Sequence, residues 1–115
     1  MINVDIDNAL APLVAGRLFP DAADLGTPAP YITYQRVGGQ DANTVDGPAD
    51  LKNGRFQINV WAGTRNEADS LMDQVIDALA AEPLLGVPIG APVSDYESSL
   101  DLRGSMLDFS IWHKP

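Results

Sequence analysis

The sequence of 115 residues contains no cysteine and only one histidine, His113. The absence of cysteine excludes disulfide bonds, thiolate zinc sites and thiol nucleophiles. The sequence also lacks the Gly-x-Ser-x-Gly turn that would present a nucleophilic serine to a histidine. We therefore interpret His113 as a residue near a strand end, partly in solvent, and we expect neither an enzyme nor a bound cofactor.

Basic residues are few as well: 7 Lys and Arg stand against 16 Asp and Glu, which gives a formal net charge of -9. The seven basic residues are also scattered along the chain. Because affinity for nucleic acids comes largely from Lys and Arg at the phosphates, tight binding to DNA or RNA is not expected. A weakly repulsive surface past which DNA could slide is compatible with this charge.

Long apolar runs are missing too. The longest stretches, such as residues 78–81, are far too short to cross a membrane. The first residues show neither the basic flank nor the apolar region of a secretory signal. We therefore expect no membrane partner, and synthesis in a bacterial cytoplasm would suit a chain that needs no disulfide bonds.

The residues that are present predict one folded domain spanning 1–115. Hydrophobic residues make up 45% and charged residues 20% of the chain, which is the balance of a globular protein. Helical spacing of apolar residues and β-branched or alternating segments predict the main elements. The predicted helices are 4–11 and 65–81, the predicted strands are 31–37, 55–62, 93–100 and 106–113, and residues 17–19 are a brief extended piece.

The order of these elements predicts an α+β fold. It consists of a mostly antiparallel four-stranded sheet with two helices packed on one face. Thr64 and Glu67 form the pattern of a capping box at the start of the second helix, and Pro83 ends it. A long polar loop, residues 38–54, is predicted between the first two strands, and a loop of that length in a compact domain is usually functional.

Acidic residues in this loop raise the question of a calcium site. Asp41, Asn43 and Asp46 resemble part of an EF-hand loop, whose oxygen ligands occupy alternate positions before a glycine and a distant glutamate. In this chain the second aspartate comes one residue late and the glutamate is missing. We therefore expect no metal site.

An acidic stripe is predicted on the second helix, where Asp69, Asp73 and Asp77 recur at every fourth residue, opposite the apolar face. Like charges at this spacing each cost about 0.2–0.5 kcal/mol in an isolated helix. The simpler interpretation is a solvated face on which Arg65 partly relieves Asp69. The alternative is that the stripe contacts basic residues of another subunit or faces a channel.

Two tryptophans are predicted on the polar face of the sheet. Trp61 and Trp112 alternate with the apolar residues of their strands, so they lie on the side away from the helices. Either the long loop or Tyr31 and Tyr34 cover them, or they mark a subunit interface, where tryptophan is enriched among the residues that dominate binding energy.

Several segments resemble a known family. APYITYQRV at 29–37 resembles the PYVVYQRV strand of the phage tail-completion (tail-terminator) proteins. DGP at 46–48 and RFQINVWA at 55–62 resemble the loop and second strand of that family. The helix from Arg65 and the closing LDFSIWH at 107–113 follow the same pattern, and RLFP at 17–20 resembles its GRIYP element. The similar segments occur in the right order over most of the chain.

This resemblance implies an α+β subunit of a homo-oligomeric ring, typically a hexamer, that terminates the tail tube of a phage or prophage and joins the tail to the filled head. The implied partners are copies of the chain itself, the tail tube protein and a head–tail connector or neck protein, and genome DNA is only passing cargo. The implied location is the virion. The family has no catalytic residues, and it would assign the long loop to the lumen or to contacts between subunits. The candidates there are Asp41, Asn43, Asp46, Asp50 and Lys52.

Two alternatives remain open at this point. A neck or head–tail connector component of the same virion would have a similar size and composition. A protein of a different class, a small acidic protein directed at a host partner, could use the negative surface as a DNA mimic.

Overall fold

The computed structural model describes residues 1–40 and 51–114. The predicted loop residues Asp41, Asn43, Asp46 and Asp50 therefore lie outside the described residues. In chain order the elements are helix α1 (Ile2–Leu10), a 3-10 turn (Ala11–Val14), strands β1 (Leu18–Pro20), β2 (Tyr31–Arg36) and β3 (Lys52–Ala62), helix α2 (Arg65–Ala80), and strands β4 (Val87–Glu97) and β5 (Leu102–His113).

The α+β class is confirmed, but the sheet has five strands in the order β1-β2-β3-β5-β4 and is mixed. The prediction of four antiparallel strands is wrong in this detail. The additional strand, β1, pairs in parallel with β2, where Leu18 lies beside Ile32. It corresponds to the brief extended piece predicted at 17–19. Three residues are too short for an alternating pattern, so its pairing could not be predicted from the sequence.

Both helices cover one face of the sheet, as predicted, and the core lies between them and that face. The two fully buried phenylalanines, Phe56 and Phe109, are direct partners across β3 and β5. Helix α2 contributes Leu71, Val75 and Leu79 among its buried residues. Tyr34 reaches α1 from the same face and donates its hydroxyl to Asp7 Oδ1 at 3.3 Å.

The strands extend further than their sequence patterns indicate. Strand β3 begins at Lys52 rather than 55, and β4 occupies Val87–Glu97 rather than 93–100. The early part of β4 includes Pro88 and Gly90, which precede the predicted start of this strand. An edge strand tolerates these residues because one side of its backbone needs no partner. A register shift between Ile89 and Val93 accommodates the extra residues opposite β5.

Candidate functional site

The face of the sheet opposite the helices, called here the open face, is the surface on which candidate functional residues converge. It carries the polar residues of the alternating pattern, including Gln57 and Arg55 on β3 and Asp108 on β5. Arg55 Nε lies 2.8 Å from Asp108 Oδ2. No helix of the described part covers this face, so its larger side chains are available for contacts with other proteins.

The structure places Trp61 and Trp112 on the open face, as predicted, but at opposite ends of it. Trp61 lies between Tyr31 of β2 and Gly104 of β5, whereas Trp112 lies beside Asn53. Eight residues of β3 separate the two positions, which corresponds to roughly 27 Å at about 3.4 Å per residue. The two tryptophans therefore belong to two different surfaces.

Trp61 packs directly on the backbone of β5. A Cβ atom added to Gly104 would lie 2.8 Å from Trp61 Cζ3 and 2.9 Å from Cε3. This proximity means that the indole ring rests over the glycine, and a larger residue there would displace it. On β2, Tyr31 is the cross-strand partner of Trp61, whereas Tyr34 belongs to the core.

Beside Trp61 the open face holds a cleft of about 730 Å³, called here the Trp61 cleft. One wall is the segment 21–29 and the other is the turn between β4 and β5. Three carboxylates line it, and no Lys, Arg or His does. The three are Asp21, Asp24 and Glu97.

The floor of the cleft contains two hydroxyl groups on largely buried side chains. Tyr31 and Thr33 are each 8% exposed. Burial and, secondarily, the charge of Glu97 raise the pKa of Tyr31 above its usual value. Hydrogen bonds from the hydroxyl and amide of Ser99 lower the pKa of Glu97. The Glu97 carboxylate is therefore ionised near neutral pH, and the Tyr31 phenol is neutral.

At the opposite end of the sheet, called here the Trp112 end, three basic side chains lie among the described residues. This end comprises Arg36, Lys52, Trp112, His113 and Lys114. The Arg36 guanidinium lies 3.3 Å from His113 Nε2 and donates to the Asn53 carbonyl at 2.8 Å. Trp112 is 39% exposed. Lys52, which was predicted to belong to the loop, is instead the first residue of β3 and pairs with His113.

The acidic stripe lies on the outer surface of α2, where Asp69, Asp73 and Asp77 are all exposed. Arg65 Nη1 lies 3.2 Å from Asp69 Oδ1, which is the relief predicted from the sequence. Arg65 also donates to the Gly104 and Asp95 carbonyls at 2.8 Å each. Because α2 packs on the other side of the sheet, the stripe lies away from the open face. Its role as an interface remains a prediction.

Strand β4 is a free edge of the sheet, yet it is poorly suited to pairing with another strand. Pro88 and Pro92 have no amide hydrogen, and the register shift at 89–93 bends this part of the edge. The amide of Tyr96 already donates to Asp95 Oδ1 at 2.7 Å. Contacts between proteins at this site are therefore expected through side chains rather than through an extended sheet.

The cleft residues Asp21, Asp24, Thr33 and Glu97 were not singled out from the sequence. From the sequence, Asp21 and Asp24 belong to a segment without a regular pattern, and Glu97 belongs to the predicted strand 93–100. No sequence signal indicated that these acidic residues converge near Trp61. Their proximity depends on the parallel pairing of β1 with β2 and on the exact position of the β4–β5 turn, which the sequence patterns did not determine.

Two further findings concern metal clusters and membrane spans. Within residues 1–40 and 51–114, no three His, Asp or Glu side chains come together as a metal site would require. No helix in the same ranges has both the length and the apolar character needed to cross a membrane.

This small α+β domain has two distinctive surface features: a half-covered sheet and two ends that each carry a tryptophan. Such features are characteristic of a structural assembly protein. The family model of Tail completion protein gp17 matches residues 5–114, and the chain belongs to this family. It is therefore a structural protein that completes the tail of a virion, as the sequence segments implied, and its location is the virion. No curated protein matches the chain.

Two solved structures show the same fold. A chain in the virion of a native gene transfer agent particle is 23% identical, with a TM-score of 0.62, and the match covers 92% of this chain and 84% of that one. The gp17 protein of bacteriophage SPP1 is 18% identical, with a TM-score of 0.52, and the match covers 98% and 84% of the two chains. At these identities the similarity establishes the fold.

Proposed function

We propose that the chain forms a closed homo-oligomeric ring on the head-proximal end of the tail tube. In this position it stops polymerisation of the tube protein and presents the surface that binds the head–tail connector. Membership of the tail completion family supports this location, and the structural role of that family supports an activity without catalysis. The two similar structures, a chain of a gene transfer agent virion and a bacteriophage protein, support partners within a virion.

The observation that carries the ring is the placement of Trp61 and Trp112 at opposite ends of the open face. A closed ring requires heterologous contacts, in which two different surfaces of each subunit are complementary. The chain has two such surfaces, each with a partly exposed tryptophan, and tryptophan is enriched among the residues that dominate interface energies.

The charge of the chain supports passage of DNA through such a ring. The net charge is -9, and the stripe Asp69, Asp73 and Asp77 adds an exposed line of negative charge on one helix. A negative surface repels the phosphate backbone, so DNA would move past it without adhering. We propose that DNA is cargo and not a ligand.

The test is an assembly reaction with purified tail tube protein. Adding the chain during polymerisation should shorten the tubes and leave one ring at one end, as seen by electron microscopy. A matched control is the double variant Trp61→Ala/Trp112→Ala, which should fold but leave the tubes long. Tubes of unchanged length, with the chain bound only to isolated connector protein, would contradict a terminator and favour a neck component.

A further inference from the structure

We propose that the Trp61 cleft of one copy binds the Trp112 end of the next copy. This inference rests on the proposed ring and adds which two surfaces of the subunit meet. The occupant of the cleft is thus a second copy of this chain. Recognition depends on a cationic, aromatic edge of one copy entering an acidic, aromatic groove of the next.

The cleft is built to receive positive charge. Its three carboxylates, on Asp21, Asp24 and Glu97, have no basic residue among the side chains that line the same space. Trp61, which is partly exposed, offers an aromatic face beside them, and aromatic faces attract guanidinium and ammonium groups. An Arg or Lys side chain inside the cleft would therefore gain both ion pairing and contact with an aromatic ring.

The buried hydroxyls give a second and independent indication of a ligand. Tyr31 and Thr33 are more than nine-tenths buried and line the cleft, yet neither hydroxyl has a hydrogen-bond partner in the described part of the chain. In that part, no fully enclosed side-chain nitrogen or oxygen lacks a partner. These two hydroxyls must therefore open into the cleft, where an incoming polar group can bind them.

The Trp112 end has the complementary chemistry. Arg36, Lys52 and Lys114 have no carboxylate of the described residues within salt-bridge distance. The Arg36 guanidinium is held over the Phe56 ring, 5.6 Å from its centre, which fixes its orientation before any contact forms. One carboxylate of the described residues, Asp5, lines the depression that Trp112 and Lys114 share. The aspartates of segment 41–50 lie outside the described residues and do not enter the definition of this surface.

Charge also decides how two copies meet. A contact between like surfaces, cleft against cleft or end against end, would oppose charges of the same sign. Pairing the acidic cleft with the basic end is the favourable arrangement. That pairing can be reciprocal, in a two-fold dimer, or continue head to tail from copy to copy, and only the second forms the proposed ring. Because the two surfaces lie roughly 27 Å apart along β3, a cleft cannot bind the end of its own chain.

Disulfide crosslinking tests the contact directly, because the natural chain has no cysteine. The variant Ser99→Cys/Lys114→Cys places one thiol at the rim of the cleft and the other at the Trp112 end. Under mild oxidation with tail tubes present, we expect a ladder of covalent multimers. Each single-cysteine variant should remain monomeric, since like surfaces do not meet. The matched control Ser70→Cys/Lys114→Cys, with its first thiol on α2, should form no ladder.

The outcomes separate the two proposals. If the double-cysteine chain shortens the tubes but forms no covalent multimers through positions 99 and 114, this contact is overturned and the proposed ring is not. Dimers from either single-cysteine variant would overturn it too, since they indicate a contact between like surfaces. Crosslinking of the double-cysteine variant that stops at the dimer would also overturn it, since it indicates a reciprocal two-fold contact. If the natural chain does not shorten tubes, the proposed function itself fails.

A charge reversal provides an independent measurement. The cleft variant Asp24→Lys/Glu97→Lys and the end variant Lys52→Glu/Lys114→Glu should each lower the association constant by about tenfold or more, because each opposes like charges. Combining all four substitutions should restore association. The control Ser70→Lys/Gln74→Lys, at exposed positions of α2 outside the acidic stripe, should assemble like the natural chain. Failure of the fourfold variant to associate while it stays folded would contradict the pairing.

Discussion

At the scale of single residues, the most demanding contact on the open face is that of Trp61 with Gly104. A Cβ at position 104 would lie 2.8 Å from the indole ring, which is closer than packed carbon atoms allow. The glycine is thus required by the ring above it. This contact fixes the position of Trp61 at the edge of the Trp61 cleft.

Gly104→Ala should therefore destabilise the domain by about 1–3 kcal/mol, the usual cost of an added methyl group in a packed site. Chemical denaturation followed by tryptophan fluorescence measures the change. Gly63→Ala is the matched control, because nothing lies within 4 Å of an added Cβ there. Equal stability of the two variants would show that the indole ring moves aside without cost.

The start of α2 depends on one hydroxyl. Thr64 accepts a hydrogen bond from the Glu67 amide at 3.2 Å, which is the first half of the predicted capping box. Thr64→Ala should lower the free energy of unfolding by about 1 kcal/mol. Ser70→Ala, on the exposed face of the same helix, should have little effect. If urea titrations show a similarly small change in the free energy of unfolding for both variants, the cap contributes nothing to stability.

At the scale of elements, the sequence predicted best where a single pattern ran uninterrupted. The alternation of Phe56, Ile58 and Val60 located β3, and the spacing of apolar residues located α2 to within one residue. Prediction failed where tertiary contacts outweigh local signals. β1 exists because three residues pair with β2, and the first half of β4 exists because β5 offers it a partner despite Pro88 and Gly90. The Trp61 cleft was not predictable either, because its walls, the segment 21–29 and the β4–β5 turn, follow no regular sequence pattern.

The contact of α1 with β2 gives the fold a dependence on alkaline pH. Burial raises the pKa of Tyr34 above its usual value, followed by the charge and the hydrogen bond of Asp7. A group whose pKa is higher in the folded than in the unfolded chain stabilises the fold below the unfolded value, about 10. That stabilisation is lost as the pH rises through the folded value.

Tyr34→Phe should therefore cost about 0.5–1.5 kcal/mol at pH 7, because it removes the hydrogen bond to Asp7. The difference from the natural chain should shrink as the pH rises above 10, because the natural chain alone loses the benefit of the neutral phenol. Urea titrations at several pH values measure this. A difference that stays constant to pH 11 would show that Tyr34 ionises as easily in the fold as in the unfolded chain.

At the scale of the whole molecule, assembly and folding should respond to different substitutions. Trp61→Ala and Trp112→Ala should weaken self-association more than they lower the melting temperature of the monomer. Sedimentation at several concentrations measures the first effect, and thermal unfolding of dilute protein measures the second. If monomer stability falls as far as assembly does, the tryptophans serve mainly the fold.

Assembly should also depend on salt. A contact between three carboxylates and a basic strand end is screened as ionic strength increases, since the Debye length falls from about 10 Å at 0.1 M to about 3 Å at 1 M. The association constant of the natural chain should therefore fall with added NaCl. The variant Asp24→Asn/Glu97→Gln should associate more weakly at low salt and show a flatter dependence. Equal salt dependence of both proteins would place the ionic contact elsewhere.

The central claim is that copies of this chain close the head-proximal end of the tail. Electron microscopy of particles made with and without the chain tests it most directly. With the chain, tails should have one length and should carry a ring at the end joined to the head. Without it, tails should be longer, variable and unjoined. Tails of normal length that still join heads in its absence would contradict the claim.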